Sequence, residues 1–493
     1  MTIRTLKSNV LRRLGRLKEA EQLTVENERI NCLDAGNLYE KYCLHSNEHN
    51  NQLLKQALNN NLNDYLSLAE QYMDAGQFED AMKIVSCFEG HNPMKYYYQS
   101  YLATKLGNLS DAKQYANAGA IASPDYIFPN RLMDIKVLEY VIDQYPDDGL
   151  AAYYLGNLFY DRKVYERETQ LWKLCTKLKP EYAMAHRNLA IAYFNKQHQQ
   201  QAALKELETA FELDPQNSRL VFELDTLYEK LAYQLKERIT FLERHMDLVK
   251  LRDDSYISLV TLLNETGQYQ RAYDLIMAHT FHPWEGGEGK VSTQYEYALV
   301  ELAKKDLVAL QPQQAIEKLQ QALTYPRSLG EGKLPIAVNN VIDYYLGLAY
   351  KQVQDEAQAK AHFISATQGL DEPTDMMYYN DQPADTIFYQ GLAYEQLQQA
   401  DDARAKYYKL INFGEQHLFD EFKMDYFAVS LPDALLFDEN YQTRNTVHCY
   451  YLMALGYVGL GKLEKAQKLF KQASTLNNHH QGVIRHQNFV KTE

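Results

Sequence analysis

Apolar residues recur at intervals of three and four along most of the chain, which is the pattern of amphipathic α-helices. The clearest stretch contains two such helices followed by Pro180, and a second, similar stretch ends at Pro215. Leu155 and Leu189 hold equivalent places in these two copies. No segment alternates between apolar and polar residues for long enough to require a β-strand. The pattern therefore predicts an all-α chain made of repeated helix pairs.

The copies are about 34 residues apart, which is the period of tetratricopeptide helix pairs. In such pairs, small residues let the two helices approach and large residues fill the space between them. The copy before Pro180 has these positions at Leu155, Gly156, Phe159, Trp172 and Cys175. Further copies are centred on Gly347 and Ala454. We therefore expect a right-handed superhelical solenoid of tetratricopeptide-like helix pairs, with Trp172 as a packing residue.

The length of the chain also favours a repeat array. A chain of 493 residues exceeds one globular core, which seldom grows past about 250–300 residues, whereas an array grows by stacking. We expect one continuous solenoid, with an ordinary array over 1–278 and an array with long loops over 279–493. Its first helix carries an exposed apolar face with Leu6, Val10 and Leu14. This face is either an adequate amphipathic end or a sign that the chain is the downstream part of a longer protein.

Four connections in the second half of the sequence are much longer than an ordinary turn between repeats. They cover 279–291, 325–338, 370–386 and 413–447, and each follows the second helix of a pair. Connections of this kind emerge along one edge of a solenoid. Because ordering a loop costs backbone entropy, four long loops on one edge favour a binding site. We expect the four loops to touch each other there.

The composition of these loops is that of a site for a polyhydroxylated ligand. Aromatic rings stack on the apolar faces of a sugar, and polar groups fix its hydroxyls. The residues that we expect to bind such a ligand are His282, Trp284, Glu285, Glu288, Lys290, Glu331, Lys333, Tyr378, Tyr379, Asp425, Tyr426, Asp433 and His448.

The glutamates of these loops have three interpretations. Glu285, Glu288 and Glu331 are candidates for a general acid and base, as in a glycoside hydrolase. They are equally suited to contact a ligand without catalysis. They are also suited to cap the helices that follow, or to pair with Lys290 and Lys333. The sequence alone leaves these alternatives open.

Charge and hydropathy argue against several other classes of protein. The formal net charge is −14 and no dense basic tract is present, so we expect no nucleic-acid partner. No run of about 20 apolar residues exists to span a membrane, and the first residues lack the apolar core of a secretion signal. We therefore expect a cytoplasmic protein.

Motifs for metals and cofactors are lacking as well. The five cysteines are scattered and form no CxxC pair, which argues against a zinc or redox motif. The sequence GEGK occurs twice, but without the earlier glycine and the following Ser or Thr of a phosphate-binding loop. We interpret His479, His480 and His486 as part of a frayed tail and not as a metal site. No metal and no cofactor are expected.

A combination of short motifs resembles a known bacterial family. The stretches WEGGEGK, LGEGKL, DYFAVSLPDALLFDE and HCYYLMALGYVGLGK are similar to large proteins in which a β-sandwich domain of unknown function precedes a tetratricopeptide array. The resemblance covers about 281–482 and implies a link to carbohydrate breakdown and a glycoside-hydrolase-like activity. The β-rich domain is absent from this sequence, which puts any activity housed in that domain in doubt.

Three functions follow as hypotheses. The first is a binding module that supports carbohydrate processing, by holding a partner such as a separately encoded β-sandwich protein or by bordering a glycan site. The second is a glycoside-hydrolase-like enzyme that uses loop carboxylates. The third is a generic peptide-binding scaffold, in which the loops have no function of their own.

Overall fold

The protein is all-helical in the computed structural model, which describes residues 3–284, 286–335, 337–376, 382–421 and 435–490. These residues form 27 α-helices and no β-strand. They belong to two compact units, Met1–Ala192 and Tyr193–Glu493. The boundary between the units lies within one helix. The division at residue 279, which rests on the length of the loops, stays a prediction.

The first unit contains eleven helices and most of a twelfth. They are α1 Ile3–Arg13, α2 Leu17–Ile30, α3 Ala35–Leu44, α4 Glu48–Ala57, α5 Leu62–Asp74, α6 Phe78–Cys87, α7 Pro93–Lys105, α8 Leu109–Ile121, α9 Leu132–Gln144, α10 Gly149–Asp161, α11 Tyr165–Leu178 and α12 Ala183–Asn195.

The second unit contains the end of α12 and fifteen further helices. They are α13 Gln200–Leu213, α14 Ser218–Lys230, α15 Leu235–Arg244, α16 Met246–Val249, α17 Asp253–Glu265, α18 Tyr269–Ala278, α19 Lys290–Val308, α20 Pro312–Ala322, α21 Asn340–Gln352, α22 Glu356–Ala366, α23 Thr386–Gln396, α24 Ala400–His417, α25 Tyr441–Gly459, α26 Leu463–Leu476 and α27 Gln481–His486.

Close helix pairs are the building unit, as the sequence predicts. A Cβ atom at Gly156 would lie 2.5 Å from Nε1 of Trp172, so only glycine permits the observed approach of α10 and α11. Trp172 is 2% exposed, which confirms that it is a packing residue. In the second unit, a Cβ atom at Gly347 would lie 2.4 Å from Cε1 of Phe363 on the paired helix. The tetratricopeptide-like pairing is therefore present in both units.

A buried ionic cluster joins α1 to the rest of the first unit. Nε of Arg12 donates to Oε2 of Glu40 at 2.7 Å, and Nη2 of Arg12 donates to Oδ1 of Asp80 at 3.0 Å. Tyr72 and Tyr39 donate hydroxyl hydrogen bonds to Glu40 and Asp80, respectively. Buried charges are tolerated when they are paired in this way.

The other side of α1 is apolar and exposed, as expected. Leu6 is 39% exposed, Val10 44% and Leu14 66%.

The second unit has a continuous layer made from the first helices of successive pairs. In this layer, α17 contacts α19, α19 contacts α21, α21 contacts α23, and α23 contacts α25. We call these five helices the first-helix layer. The second helices α18, α20, α22, α24 and α26 each pack against the first helix of their own pair.

A short segment of the chain packs on the first-helix layer. It covers 477–490 and contains α27 and the 3-10 turn Gln487–Val490, and we call it the docked segment. Val483 is 1% exposed and His486 is fully buried. The expectation that this region is a frayed tail is therefore wrong, because its apolar and imidazole side chains are enclosed by other helices. Among the described residues, no group of three or more potential ligands is arranged to hold a metal ion.

Candidate functional site

The first long loop is fixed at its start by a carboxylate on the layer. Asp253, the first residue of α17, accepts a hydrogen bond from Nε2 of His279 at 2.7 Å and one from the backbone N of His282 at 2.7 Å. Burial raises the pKa of Asp253, but these hydrogen bonds outweigh it and leave the pKa below its ordinary value. The imidazole of His279 is also stacked on Tyr256, with 4.1 Å between ring centroids. The loop therefore leaves α18 in a defined direction.

The second long loop docks directly on the first. The backbone N of Phe281 donates to the carbonyl oxygen of Ser328 at 2.8 Å. Oε2 of Glu331 accepts hydrogen bonds from the backbone N of Gly289 at 3.0 Å and from Oγ of Ser292 at 3.3 Å. A carboxylate is favourable at this place, since Gly289 is the N-cap residue of α19 and the helix dipole is positive there. These two loops touch each other as the sequence predicts.

A pocket of about 330 Å³ lies between these two loops. It is lined by His282, Pro283, Trp284, Gly287, Glu288, Val291, Leu329 and Glu331. Val291 and Leu329 are each 1% exposed and form an apolar base, whereas His282 and Glu288 are exposed. The half-buried Trp284 ring lies against Gly287, where a Cβ atom would come within 2.2 Å of it. We call this the loop pocket.

Four of the predicted ligand-binding residues therefore meet in the loop pocket, namely His282, Trp284, Glu288 and Glu331. The charge of Glu331 is already engaged at the start of α19. Glu288 is the exposed carboxylate of the pocket. An apolar base, one indole ring and two carboxylates suit a small ligand with one apolar face and several hydroxyls.

Lys333 is engaged in holding the second loop. Its Nζ donates to Oε1 of Glu296 at 2.8 Å and lies 5.0 Å from the ring centroid of Tyr325. Tyr325 donates its hydroxyl hydrogen bond to the same carboxylate oxygen at 2.7 Å. Lys290 is exposed at the first position of α19. The partner of Lys333 is therefore Glu296 on α19, and not one of the loop glutamates that the sequence offered for it.

The other two long loops have separate surroundings in the described residues. The imidazole of His448 on α25 donates from Nε2 to the carbonyl oxygen of Thr374 in the third loop, at 3.0 Å. Burial lowers the pKa of His448. At the end of the fourth loop, Phe437 packs on Phe194 with 4.9 Å between ring centroids. Nδ2 of Asn195 donates to the carbonyl oxygen of Leu436 at 3.0 Å.

Six predicted site residues lie outside the described residues, namely Glu285, Tyr378, Tyr379, Asp425, Tyr426 and Asp433. The expectation of one rim formed by all four loops therefore remains a prediction, as does a role for these six residues in ligand binding.

The first-helix layer holds the docked segment through a largely buried arginine, which the sequence reasoning missed. Nε of Arg485 donates to Oε1 of Glu301 at 2.8 Å, and the two side chains are 12% and 8% exposed. The guanidinium carbon of Arg485 lies 4.7 Å from the ring centroid of Tyr297. Burial lowers the pKa of Arg485, but the neighbouring Tyr389 and Glu301 outweigh it and hold the pKa far above its ordinary value. The arginine is therefore charged.

The next residue of the docked segment completes the contact. Nδ1 of His486 donates to the carbonyl oxygen of Gly482 at 2.8 Å, so Nε2 is free to accept from the hydroxyl of Tyr389 at 2.9 Å. The hydroxyl of Tyr451 lies 3.0 Å from Nδ1 and donates to Asp385 at 2.8 Å. Burial first, and the charge of Arg485 second, lower the pKa of His486 well below its ordinary value. The imidazole is therefore neutral.

The two ends of the docked segment contact different helices of the layer. The side-chain amides of Gln481 and Gln294 lie 3.0 Å apart at α19. Phe489 packs edge-on against Phe388 of α23, with 5.6 Å between ring centroids. One sequence signal indicates this surface: Tyr345 and Tyr389 each stand two residues before the glycine that pairs the helices, at Gly347 and Gly391. The repeat therefore places a tyrosine at the same point of successive first helices.

Comparison with known proteins gives helical-repeat neighbours. No family model matches the chain. The solved structure of YrrB, described as a TPR protein with an unusual peptide-binding site, is 18% identical and has a TM-score of 0.30, and the match covers 38% of this chain and 92% of YrrB. MamA 41-end from Desulfovibrio magneticus RS-1 is 17% identical with a TM-score of 0.24, over 39% of this chain and 97% of that MamA chain. The human IFIT1 dimer with PPP-AAAA is 14% identical with a TM-score of 0.27, over 86% of this chain and 93% of IFIT1.

None of the described helices combines the length and the apolar composition that a membrane crossing requires.

Proposed function

We propose that this chain is a binding module that holds a peptide segment of a partner protein on the first-helix layer of its second unit. The observation that carries this proposal is the docked segment, a piece of polypeptide already seated on that layer. It is held by an ion pair at Glu301 and by hydrogen bonds from tyrosine hydroxyls. A surface that encloses one short peptide by side-chain contacts has the chemistry to enclose another.

The charge of the layer favours a partner with a basic residue. Glu301 is 6% exposed, and it keeps a pKa below its ordinary value because Arg485 and Lys304 outweigh the effect of burial. The chain as a whole has a formal net charge of −14. Complementary charge speeds encounter and excludes acidic partners. Tyrosines around the carboxylate add flat rings that pack on the peptide and hydroxyls that bind its polar groups.

The test is selection of short peptides from a random displayed library with the purified full chain. The selected peptides should bind at least about tenfold more weakly to a Glu301→Gln chain, because an ion pair with this carboxylate contributes on the order of 1.5–3 kcal/mol. The matched control is Glu317→Gln, which changes an exposed glutamate on α20 in the same unit. Selected peptides that bind both variants like the unchanged chain would place the binding surface elsewhere.

A second candidate function is saccharide binding at the loop pocket. The half-buried Trp284, which lines this pocket together with two carboxylates, favours it. The resemblance to the family linked to carbohydrate breakdown also favours this candidate. A separately encoded β-sandwich protein is the partner that this resemblance suggests. The carboxylates Glu288 and Glu331 are also the described candidates for a glycoside-hydrolase-like activity.

We expect the full chain to bind saccharides weakly and to hydrolyse them slowly or not at all. Misplacement of a catalytic group by about 1 Å costs roughly 100-fold in rate, and Glu331 is engaged by backbone instead of aimed at a substrate. A glycan panel with binding and turnover measured together checks this, with Trp284→Ala as the variant that should lose binding. Fast turnover that Glu288→Gln or Glu331→Gln abolishes would make the chain an enzyme.

A further inference from the structure

Arg485 of the docked segment is largely buried, although most arginines in proteins are exposed. The Nη2 atom of Arg485 is enclosed and makes no hydrogen bond within the described part of the chain. Replacing a buried ion pair by apolar residues of similar size often leaves a protein equally or more stable. The arginine therefore gives the docking its chemical specificity, and it is a weak device for stabilising the fold.

The layer is also built to lose this arginine without leaving an unpaired charge. Nζ of Lys304 lies 2.9 Å from Oε1 and 2.8 Å from Oε2 of Glu301, so the carboxylate has a second cation on its own helix α19. When Arg485 leaves, Glu301 stays paired with Lys304. A bare buried carboxylate would be far more costly. The ion pair at the layer therefore permits exchange of the docked segment.

The docked segment is short enough to be exchanged as a unit. Its helix α27 has six residues, and helices shorter than about 12 residues are not stable alone in water. It is attached through Asn477 and Asn478, which are exposed. On its buried side lie Val483, Arg485 and His486, followed by Phe489 against Phe388. Its order depends on contacts with the layer.

We infer that the partner of the first-helix layer is a short helical peptide in which an arginine is followed by a histidine. An apolar residue stands two positions before this arginine, and an aromatic residue stands four positions after it. The docked segment is an internal copy of this ligand, and the partner displaces it. The inference rests on the proposed function of the same surface. It adds the chemistry of the ligand and an autoinhibited resting state.

The alternative occupant is a second copy of this chain, whose docked segment would exchange between molecules. The contacts of the segment are made within one molecule here, and a separate peptide of the same pattern meets the same groups. We therefore take a partner peptide as the occupant, and exchange between copies is one outcome of the test.

The experiment uses a labelled synthetic peptide with the sequence of residues 477–490, added to the full chain. In an Arg485→Ala chain the internal copy is weakened, so more molecules have an open layer and the peptide should bind about tenfold more tightly than to the unchanged chain. A peptide carrying the same Arg485→Ala change should not bind either chain. The matched control is an Arg404→Ala chain, which loses an exposed arginine of α24 and should bind the peptide like the unchanged chain.

A second variant that weakens docking of the segment controls for misfolding of the Arg485→Ala chain. Phe489→Ala should also tighten peptide binding, and circular dichroism of each variant should show unchanged helix content. Amide hydrogen exchange over 481–490 should become faster in both variants. Light scattering should show monomers. Dimers of the unchanged chain that the Phe489→Ala change abolishes would assign the layer to a second copy and overturn the partner assignment.

The outcomes separate the inference from the proposed function. Equal binding of the peptide to the unchanged and Arg485→Ala chains overturns the autoinhibited state but leaves the layer as a peptide site. A different result is that library peptides bind in a Glu301-dependent way while peptide 477–490 does not bind. That result overturns the proposed sequence pattern of the ligand and leaves the proposed function standing. If neither the library peptides nor peptide 477–490 bind at the layer, both the inference and the proposed function are wrong.

Discussion

The two carboxylates of the loop pocket differ in what they contact. Glu331 receives hydrogen bonds from Gly289 and Ser292 at the start of α19, whereas Glu288 is exposed. The first is tied to the structure of the loops, and the second is free to face a ligand. Each glutamate occurs in its own copy of the GEGK motif, so the sequence alone cannot distinguish them. The difference arises because the second loop docks on the start of α19.

This difference gives a prediction for stability. Glu331→Gln removes a negative charge from the start of a helix and should lower the free energy of unfolding by about 0.5–1 kcal/mol. Glu288→Gln should leave it within about 0.5 kcal/mol, as surface substitutions usually do. Urea unfolding of both variants measures the difference. Equal effects of the two substitutions would show that the negative charge of Glu331 does not stabilise the start of α19.

At the level of helices, the sequence predicts the helix pairs that follow the tetratricopeptide period of about 34 residues. Gly156 with Trp172, and Gly347 with Phe363, have the small and large residues of a close pair, and the structure has both contacts. The docked segment could not be found in this way. Its asparagines and histidines have the composition of a tail, and only the layer beneath it makes the burial of His486 favourable.

Helix pairing is open to a direct test with a single methyl group. Gly347→Ala places a Cβ atom 2.4 Å from Cε1 of Phe363, so the ring or the helix must move. We expect a loss of about 1–3 kcal/mol in the free energy of unfolding, which is the usual cost of overpacking. The control is Gly332→Ala, since no atom lies within 4 Å of a Cβ atom there. A loss at Gly332 as large as that at Gly347 would contradict the packing account.

At the scale of the whole second unit, docking of the segment should depend on pH. Burial lowers the pKa of His480 to about 4 and lowers that of His486 well below its ordinary value, and nearby cations act in the same direction. These cations are Arg485 and Lys304 for His486, and Arg444 for His480, while Glu301 and Asp385 are the facing carboxylates. Because both imidazoles are neutral when buried, their contribution is complete above their ordinary pKa of about 6.5 and is lost as the pH falls from there towards 4.

One group of this unit opposes the trend. Burial raises the pKa of Glu265 to about 8, so its contribution to stability is lost as the pH rises from 4.5 towards 8. Glu265 lies at the end of α17, a helix of the first-helix layer that contacts α27, whereas the histidines belong to the docked segment, whose own exchange reports their effect. The segment itself should therefore open towards acid.

The measurement is amide hydrogen exchange over 481–490 at pH 7 and pH 5, each relative to the free peptide of the same sequence. Protection should fall at pH 5 in the unchanged chain and fall less in a His486→Gln chain. Protection that is equal at both pH values would show that the histidines do not control docking.

The chain has two tryptophans, and each compact unit contains one of them. Trp172 is buried beside the ring of Tyr160 in the first unit, and Trp284 is half-buried in the loop pocket of the second. Each unit therefore carries its own fluorophore. A Trp172→Phe chain emits from the loop pocket alone, so a ligand that enters there changes all of the tryptophan emission. In a Trp284→Phe chain, all tryptophan emission comes from Trp172, so its change on heating reports the unfolding of the first unit alone.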